Sequence, residues 1–247
     1  MTGRTIVIFT RSPAAEARAK RLPAGPGTAL FESFLSAWRR TADEAGADFL
    51  VVAPRDSVAS LQETLPDVDI ETQPDDRFDV KLNAAFDVAF RLGASAALIV
   101  GGDSPPIEPT EIRRAFDHLE SHERALFLAP ADDGGVNAIG LTPTTPRMFG
   151  AVNWRTAAVH RHLRACADQL GVTILDTDSS PDLDASGAIR SLYRRSVVAP
   201  LWRAYRWLVR ALIPLVPAAA THVAPLPSLL LCSARTTRGP PFAHLCS

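Results

Sequence analysis

The chain has 247 residues, of which 47% are hydrophobic and 21% charged, an ordinary balance for a globular protein with one sizeable domain. From position 197 onward there are five arginines and no acidic residue, so residues 1–196 carry 21 basic and 27 acidic side chains, a net charge of −6. Such an acidic body excludes nucleic acid as the main partner, because a phosphate backbone requires a basic surface. The three cysteines show no metal-ligand spacing, which argues against a disulfide framework.

The first residues carry no sign of an export signal. Residues 1–4 lead directly into a strand-like run at 5–9, with no long apolar segment and no small-residue cleavage site. Together with the small number of cysteines, this pattern predicts a cytoplasmic protein in a reducing compartment.

Strand and helix patterns alternate along residues 1–196. Apolar runs of the kind found in strands buried on both faces predict strands at 5–9, 48–53, 96–100, 125–129 and 172–175. Apolar residues at helical spacing predict helices at about 30–45, 79–92 and 109–119. The alternation predicts a Rossmann-like, three-layer α/β/α domain with a mostly parallel sheet over residues 1–196. Ligands of such folds bind beyond the carboxyl ends of the strands, so we expect the functional residues there.

Several cations follow the first predicted strand. Guanidinium and ammonium groups both bind phosphates, so this segment is a candidate site for the di- or triphosphate of a donor. A solvated basic turn is the alternative interpretation. The candidate phosphate-binding residues are Arg11, Arg18, Lys20 and Arg21.

The most informative motif is the run Gly-Gly-Asp-Ser-Pro at 101–105, directly after the strand at 96–100. It places Asp103 at the carboxyl edge of the sheet, where small neighbours leave room for a ligand. Mg²⁺ and Mn²⁺ bind carboxylate and phosphate oxygens together, so Asp103 is predicted to hold such a metal and to be catalytic. Gly102 and Ser104 are predicted to contact the substrate. The alternative is that Asp103 caps the next helix or shapes a turn, although two prolines intervene.

A second candidate loop, at 130–137, reads Pro-Ala-Asp-Asp-Gly-Gly-Val-Asn and follows the strand at 125–129. Asp133 is its candidate catalytic carboxylate, and the same run of residues is also typical of a hairpin turn. The candidate substrate-binding residues of this loop are Gly134, Gly135 and Asn137.

A third acidic segment, at 176–184, follows the last predicted strand. A cation at Asp103 would favour a second carboxylate, for which Asp182 is the candidate. Asp184 is better explained as the cap of a helix that begins near Ala185. The alternative for the whole segment is an exposed acidic turn.

Three common motifs are absent from the sequence: the Gly-x-Ser-x-Gly elbow, the Gly-x-x-x-x-Gly-Lys phosphate loop, and Gly-x-Gly-x-x-Gly after the first strand. Their absence argues against serine hydrolases, P-loop enzymes and the common dehydrogenases.

The order of the motifs resembles a known family. Arg-Leu-Pro at 21–23, the motifs at 101–105 and 130–135, Trp154-x-Thr156 and Asp-Leu-Asp at 182–184 follow one another as in bacterial glycosyltransferase-A-like proteins grouped with arsenosugar-biosynthesis glycosyltransferases. The resemblance covers roughly residues 4–195. It implies a nucleotide-diphospho-sugar-transferase fold and a nucleotide-activated donor. By position, Asp103 matches the family's metal-binding aspartate, residues 133–135 match its substrate loop, and Trp154 is a candidate substrate contact.

The chain departs from the family pattern in two places. The family usually has Lys-Thr-Arg-Leu where this chain has Ala-Lys-Arg-Leu at 19–22, with the lysine one position late. It usually has tyrosines after the Gly-Gly pair, where this chain has Val-Asn-Ala at 136–138. The second departure, together with Leu-Asn-Ala at 82–84, is similar to 2-phospho-L-lactate guanylyltransferases of the same fold.

These resemblances imply two enzymatic functions with Mg²⁺ or Mn²⁺ as cofactor. The first is a glycosyltransferase that moves a sugar from a nucleotide-sugar to a small acceptor. The second is a nucleotidyltransferase that joins an NTP to a small phosphorylated acceptor and releases pyrophosphate. A non-catalytic nucleotide-binding protein is the third hypothesis. The sequence sets neither the acceptor nor the oligomeric state.

Residues 197–247 differ in character from the body. Aromatic and aliphatic residues alternating with arginines predict a basic amphipathic helix at 199–212. Such a helix makes weak contact with an anionic membrane surface or packs on a partner. An uncharged stretch follows, but four prolines from Pro214 to Pro227 favour a disordered tail over a membrane-spanning helix.

Overall fold

The computed structural model describes residues 3–154 and 156–180, together with Arg210 and Leu212. The strands in these ranges are β1 (Arg4–Phe9), β2 (Asp48–Ala53), β3 (Asp69–Thr72), β4 (Ala96–Gly101), β5 (Ala125–Pro130), β6 (Val136–Leu141) and β7 (Thr173–Asp176). The α-helices are α1 (Pro13–Ala19), α2 (Ala24–Ala45), α3 (Val58–Thr64), α4 (Phe78–Arg91), α5 (Pro109–Ser121) and α6 (Val159–Gln169). Short 3-10 turns lie at Arg55–Ser57 and Phe149–Ala151.

The strands form one sheet in the order β3-β2-β1-β4-β6-β5-β7. Every neighbouring pair is parallel except the two that involve β6, which runs antiparallel to β4 and β5. The predicted fold class, a Rossmann-like α/β domain with a mostly parallel sheet, is therefore confirmed.

The sheet is buried on both faces because its strands are apolar at successive positions. Along β1, Val7 packs with α4, α6 and the turn at Phe149–Ala151, whereas Ile6 and Ile8 pack on the other side with α2, α3 and α5. Both faces hold large, fully buried aromatic side chains, with Phe86 on the first and Trp38 on the second. This double burial explains why the strands read as continuous apolar runs in the sequence.

Some elements differ from the sequence prediction. β3 was not predicted, because it has four residues at the edge of the sheet and both of its ends are exposed. β6 begins at Val136 inside the predicted loop, so residues 130–137 include a hairpin. Helix α1 occupies part of the basic segment after β1, where no helix was predicted. It begins at Pro13, and the Ser12 hydroxyl accepts a hydrogen bond from the Ala15 backbone N–H.

Several predictions fall outside the described residues. Asp182 and Asp184 are among them, so their role stays a prediction. For the helix predicted at 199–212, the structure describes only Arg210 and Leu212; both are helical, and Leu212 is fully buried. The proposed division at 196–197 and the nature of the tail are therefore not tested. In the described part of the chain, no helix combines the length and the apolar character needed to cross a membrane.

Candidate active site

A cleft of about 1000 Å³ opens at the carboxyl edge of the sheet. Its walls come from the segments that follow β1, β2, β3 and β4, from the β5–β6 hairpin, from the first turns of α4, and from residues 154–159. The carboxyl ends of β1 to β5 and the start of the antiparallel strand β6 lie around this cleft, as the fold predicts for a ligand site. The cleft therefore lies at the edge of the sheet where the sequence predicts the functional residues.

Asp103 lies in the turn directly after β4 and is paired with Lys20. The Lys20 Nζ lies 2.6 Å from the Asp103 Oδ2, and the two side chains are only 11% and 27% exposed. Helix α1 explains the pairing, because Lys20 is the residue at its C-terminal end. The lysine that comes one position late in the sequence pattern therefore still reaches the predicted metal-binding aspartate.

Arg11 lines the same cleft and is oriented by a buried carboxylate. Its Nε and Nη2 donate to the two oxygens of Glu16 at 3.0 and 2.8 Å, and its backbone N–H donates to Glu16 as well. These hydrogen bonds, together with the nearby charge of Asp103, raise the pKa of Arg11, so its guanidinium stays charged in the cleft. Sequence reasoning found Arg11 but missed Glu16.

Gly102 brings the ends of β1 and β4 close together. A Cβ built on Gly102 would lie 2.0 Å from the Thr10 Oγ1 and 2.3 Å from the Thr10 Cβ. The Gly102 N–H also donates to the carbonyl of Phe9 at 3.1 Å. The space that this glycine leaves is therefore filled by Thr10, which itself lines the cleft.

A buried hydrogen-bond network joins the ends of three segments behind the cleft. The Ser104 hydroxyl donates to the Asn137 Oδ1 at 3.1 Å, and the Asn137 Nδ2 donates to the Ser180 Oγ at 2.9 Å. The indole of Trp38 donates to the Ser104 carbonyl at 2.9 Å. Ser104 and Asn137 both touch the cleft, but their polar side-chain atoms are used within the protein. We therefore expect Ser104 and Asn137 to act on a substrate indirectly, by holding the two loops in place.

The β5–β6 hairpin brings Asp133 to the cleft. Asp133 is exposed, and its Oδ1 accepts a hydrogen bond from the Gly135 backbone N–H at 2.7 Å. Gly134 has a φ of +90°, and a Cβ there would lie 2.2 Å from the Ala157 carbonyl oxygen. The hairpin interpretation thus describes the local structure, and the same hairpin presents Asp133 and Gly135 to the cleft.

The remaining predicted residues divide into two groups. Trp154 lines the cleft, and its indole N–H donates to the Phe149 carbonyl at 3.1 Å. Arg18 and Arg21 are exposed and are not among the residues that line the cleft. Arg18 lies in the last turn of α1 and Arg21 follows that helix, so their contact with donor phosphates stays a prediction.

The metal hypothesis is compatible with the donors present. Within residues 3–154 and 156–180, no group of three His, Cys, Asp or Glu side chains could hold a metal ion. A divalent cation at Asp103 would therefore take its other ligands from bound phosphates, from water or from Asp182, which lies outside the described residues. This is the usual way in which Mg²⁺ binds, with one or two carboxylates and the substrate phosphates.

Part of the cleft wall was missed by sequence reasoning. Phe78 and Lys81 come from the first turns of α4, and Gln73 directly follows β3. Thr156 comes from the segment before α6. Phe78, Lys81 and Leu82 have the helical i, i+3, i+4 spacing, so the sequence indicates that they lie on one face of a helix. Because β3 was not recognised, nothing in the sequence showed that this helix starts at the carboxyl edge of the sheet.

Residues 37–156 match a family that is described as an uncharacterized protein conserved in bacteria (DUF2064). The match covers a little under half of the chain, so this stretch is similar to that family. It contains Asp103, the hairpin at 133–135 and Trp154, so it includes most of the cleft wall. A search of curated proteins found no significant match.

Solved structures show the fold. A protein from Desulfovibrio desulfuricans G20, provisionally assigned as a nucleotide-diphospho-sugar transferase, aligns with a TM-score of 0.73 at 19% identity, covering 85% of this chain and 98% of that one. A nucleotidyl transferase from a Methanothermobacter species aligns at 0.54 and 15% identity, covering 78% and 97%. CMP:2-keto-3-deoxy-manno-octonic acid synthetase complexed with CTP aligns at 0.54 and 10% identity, covering 78% and 98%. The resemblance stated from the sequence is confirmed at the level of fold.

Proposed function

We propose that this protein is a metal-dependent transferase with a nucleotide-activated donor, most similar to glycosyltransferases that act from a nucleotide-sugar on a small acceptor. The observation that carries the proposal is the cleft at the carboxyl edge, which Arg11, Asp103 and Asp133 line and beside which Lys20 pairs with Asp103. Nucleotide-diphospho-sugar transferases and nucleotidyltransferases share this fold, and the sites of such α/β folds lie at this edge.

The donor phosphates belong beside Arg11 and Lys20 in this proposal. Both cations are held by carboxylates at the end of β1 and the end of α1, so their positions are set before a ligand arrives. Asp103 would hold Mg²⁺ or Mn²⁺, with Asp182 as the proposed second carboxylate. A divalent cation bound there neutralises the charge of the phosphate oxygens. Lys20 then exchanges its contact with Asp103 for one with a phosphate oxygen.

The acceptor belongs on the side of the β5–β6 hairpin. Asp133 lines the cleft and keeps one carboxylate oxygen free of the Gly135 hydrogen bond. A carboxylate in this position can remove the proton of an acceptor hydroxyl as it attacks the anomeric carbon of the sugar. Asp133 is therefore the proposed general base of the glycosyl transfer.

A second candidate is nucleotidyl transfer, which the pairing of Lys20 with Asp103 favours. Lys20 contacts the proposed metal ligand Asp103, and Arg11 lies near enough to feel its charge; this grouping suits an anionic transition state at an α-phosphorus. An acceptor phosphate would attack that phosphorus and pyrophosphate would leave. This reaction has little need of a base, so it predicts that the Asp133 carboxylate is dispensable.

The two reactions release different products, which provides the test. The full chain is incubated with Mn²⁺, a small-molecule cell extract as the source of acceptors, and either NTPs or nucleotide-sugars. Release of a nucleoside diphosphate from a nucleotide-sugar supports glycosyl transfer, and release of pyrophosphate from an NTP supports nucleotidyl transfer. Asp103→Asn should abolish either release, whereas Asp133→Asn should abolish only the first.

Absence of both products would contradict catalysis. If nucleotides still bind under those conditions, the protein is instead a non-catalytic nucleotide-binding protein. Product release that is unchanged in Asp103→Asn would contradict the assignment of the cleft.

A further inference from the structure

An aromatic surface lines one side of the cleft. Phe78 is 43% exposed, although its ring contacts those of Trp154 and Phe9 at centroid distances of 4.9 and 5.8 Å. All three side chains belong to the cleft wall. A large aromatic side chain that is supported from behind and open towards a cleft is typical of a surface that binds a flat apolar ligand.

Lys81 lies one turn after Phe78 on α4 and also lines the cleft. Leu82, the next residue, is buried in the core, so this turn of the helix is fixed against the sheet. Lys81 is half-buried, and its ammonium has no hydrogen bond or ion pair with any residue that the structure describes. Since a partly buried cation gains from an anionic partner, the cleft offers a place for an anion beside the aromatic surface.

This place is distinct from the proposed donor site. Arg11 follows β1 and Lys20 follows α1, and each already contacts a carboxylate. Phe78 and Lys81 come from α4, which crosses from β3 to β4 on the face packed against α6. The cleft volume of about 1000 Å³ is at the upper end of the range for small-molecule sites, which leaves room for a second ligand.

We propose that Phe78, Trp154 and Lys81 form the acceptor subsite, and that the acceptor carries a flat apolar group next to an anionic group. The name acceptor rests on the proposed transferase function, whereas the chemistry of the ligand rests on the side chains alone. The anionic group is a carboxylate or a phosphate, since either one pairs with an ammonium.

The test uses calorimetric titration of the full chain with two aryl anions, phenyl phosphate and phenylacetate, and with phenol and inorganic phosphate as half-ligands. Both aryl anions are titrated with and without a saturating nucleotide and Mn²⁺. The variants are Lys81→Met, which keeps most of the apolar stem, and Phe78→Ala. Their matched controls lie at the other end of the same helix or just after it: Arg91→Met for the charge and Leu92→Ala for an exposed apolar side chain.

We expect at least one aryl anion to bind the wild-type protein more tightly than either half-ligand, also in the presence of nucleotide. Lys81→Met should weaken that binding about tenfold or more, and Phe78→Ala about three- to tenfold. Neither change should alter nucleotide affinity, and the controls should bind like the wild type. The stronger of the two aryl anions identifies the anionic group.

Several results would overturn the subsite. These are no binding of either aryl anion to the wild type, unchanged binding in Lys81→Met, or displacement of the aryl anion by nucleotide. A loss of nucleotide affinity in Lys81→Met would place this lysine in the donor site and would overturn it as well. If no nucleotide binds the wild type but the aryl anions behave as described, the transferase proposal fails and the subsite stands.

Discussion

At the scale of single residues, the cleft depends on charged side chains that already have partners. Lys20 contacts Asp103 and Arg11 contacts Glu16, so both cations are positioned without a ligand. Gly102 supports this arrangement from behind, because only a residue without a side chain allows Thr10 to pack against the turn that carries Asp103. The close approach that the structure shows at this glycine is made by Thr10, and a substrate contact at Gly102 stays a prediction.

This packing predicts the effect of Gly102→Ala. The added methyl group would overlap with the Thr10 Oγ1 and Cβ, so the ends of β1 and β4 must separate. We expect the free energy of unfolding to fall by about 1–3 kcal/mol, as in other overpacked sites, measured by urea denaturation. The control is Gly25→Ala in α2, where a Cβ meets nothing within 4 Å and the change should stay within about 0.5 kcal/mol. Equal stability of the two variants would contradict the packing argument.

At the scale of elements, the long buried strands and helices were predictable and the short ones were not. β1, β2, β4 and β5 are continuous apolar runs because both of their faces are covered. β3 lies at the edge of the sheet and has no continuous apolar run. β6 directly follows residues typical of a turn, so its start was assigned to a loop. Helix α1 was not predicted because its seven residues are too few to show a helical repeat. The sequence therefore pointed to Arg11, Asp103 and Asp133 in the cleft, but not to Glu16 or to the wall contributed by α4.

The β5–β6 hairpin is held to the segment before α6 at one point, which predicts the effect of Gly134→Ala. Gly134 has a positive φ and its Cα faces the Ala157 carbonyl, so an alanine there suffers both backbone strain and overlap. Gly93→Ala is the matched control, since Gly93 also has a positive φ but open space around it. In thermal or urea unfolding we expect Gly134→Ala to lose at least about 1 kcal/mol more than Gly93→Ala. A loss equal to that of the control would show that the hairpin does not depend on this contact.

At the scale of the whole molecule, the strand order explains why distant motifs form one cleft. β1 and β4 are adjacent, so residues near 10 and 103 meet, and β6 beside β4 brings in residues near 135. The order of motifs, together with the rule that ligands bind at the carboxyl edge, was enough to predict the location of this cleft. The pairing partners could not be predicted, because the contacts of Lys20 and Arg11 depend on side-chain geometry that no spacing encodes.

The most direct test of the central claim is thermal unfolding of the wild type and Asp103→Asn with NTPs and nucleotide-sugars, each with and without Mn²⁺. A donor that binds only the folded state at about 100 times its Kd adds about 2.7 kcal/mol, a rise in Tm of about 5–10 °C. We predict such a metal-dependent rise for the wild type and for the control Asp168→Asn on α6, and its loss in Asp103→Asn. An equal rise in Asp103→Asn, or no rise with any nucleotide, would contradict the account.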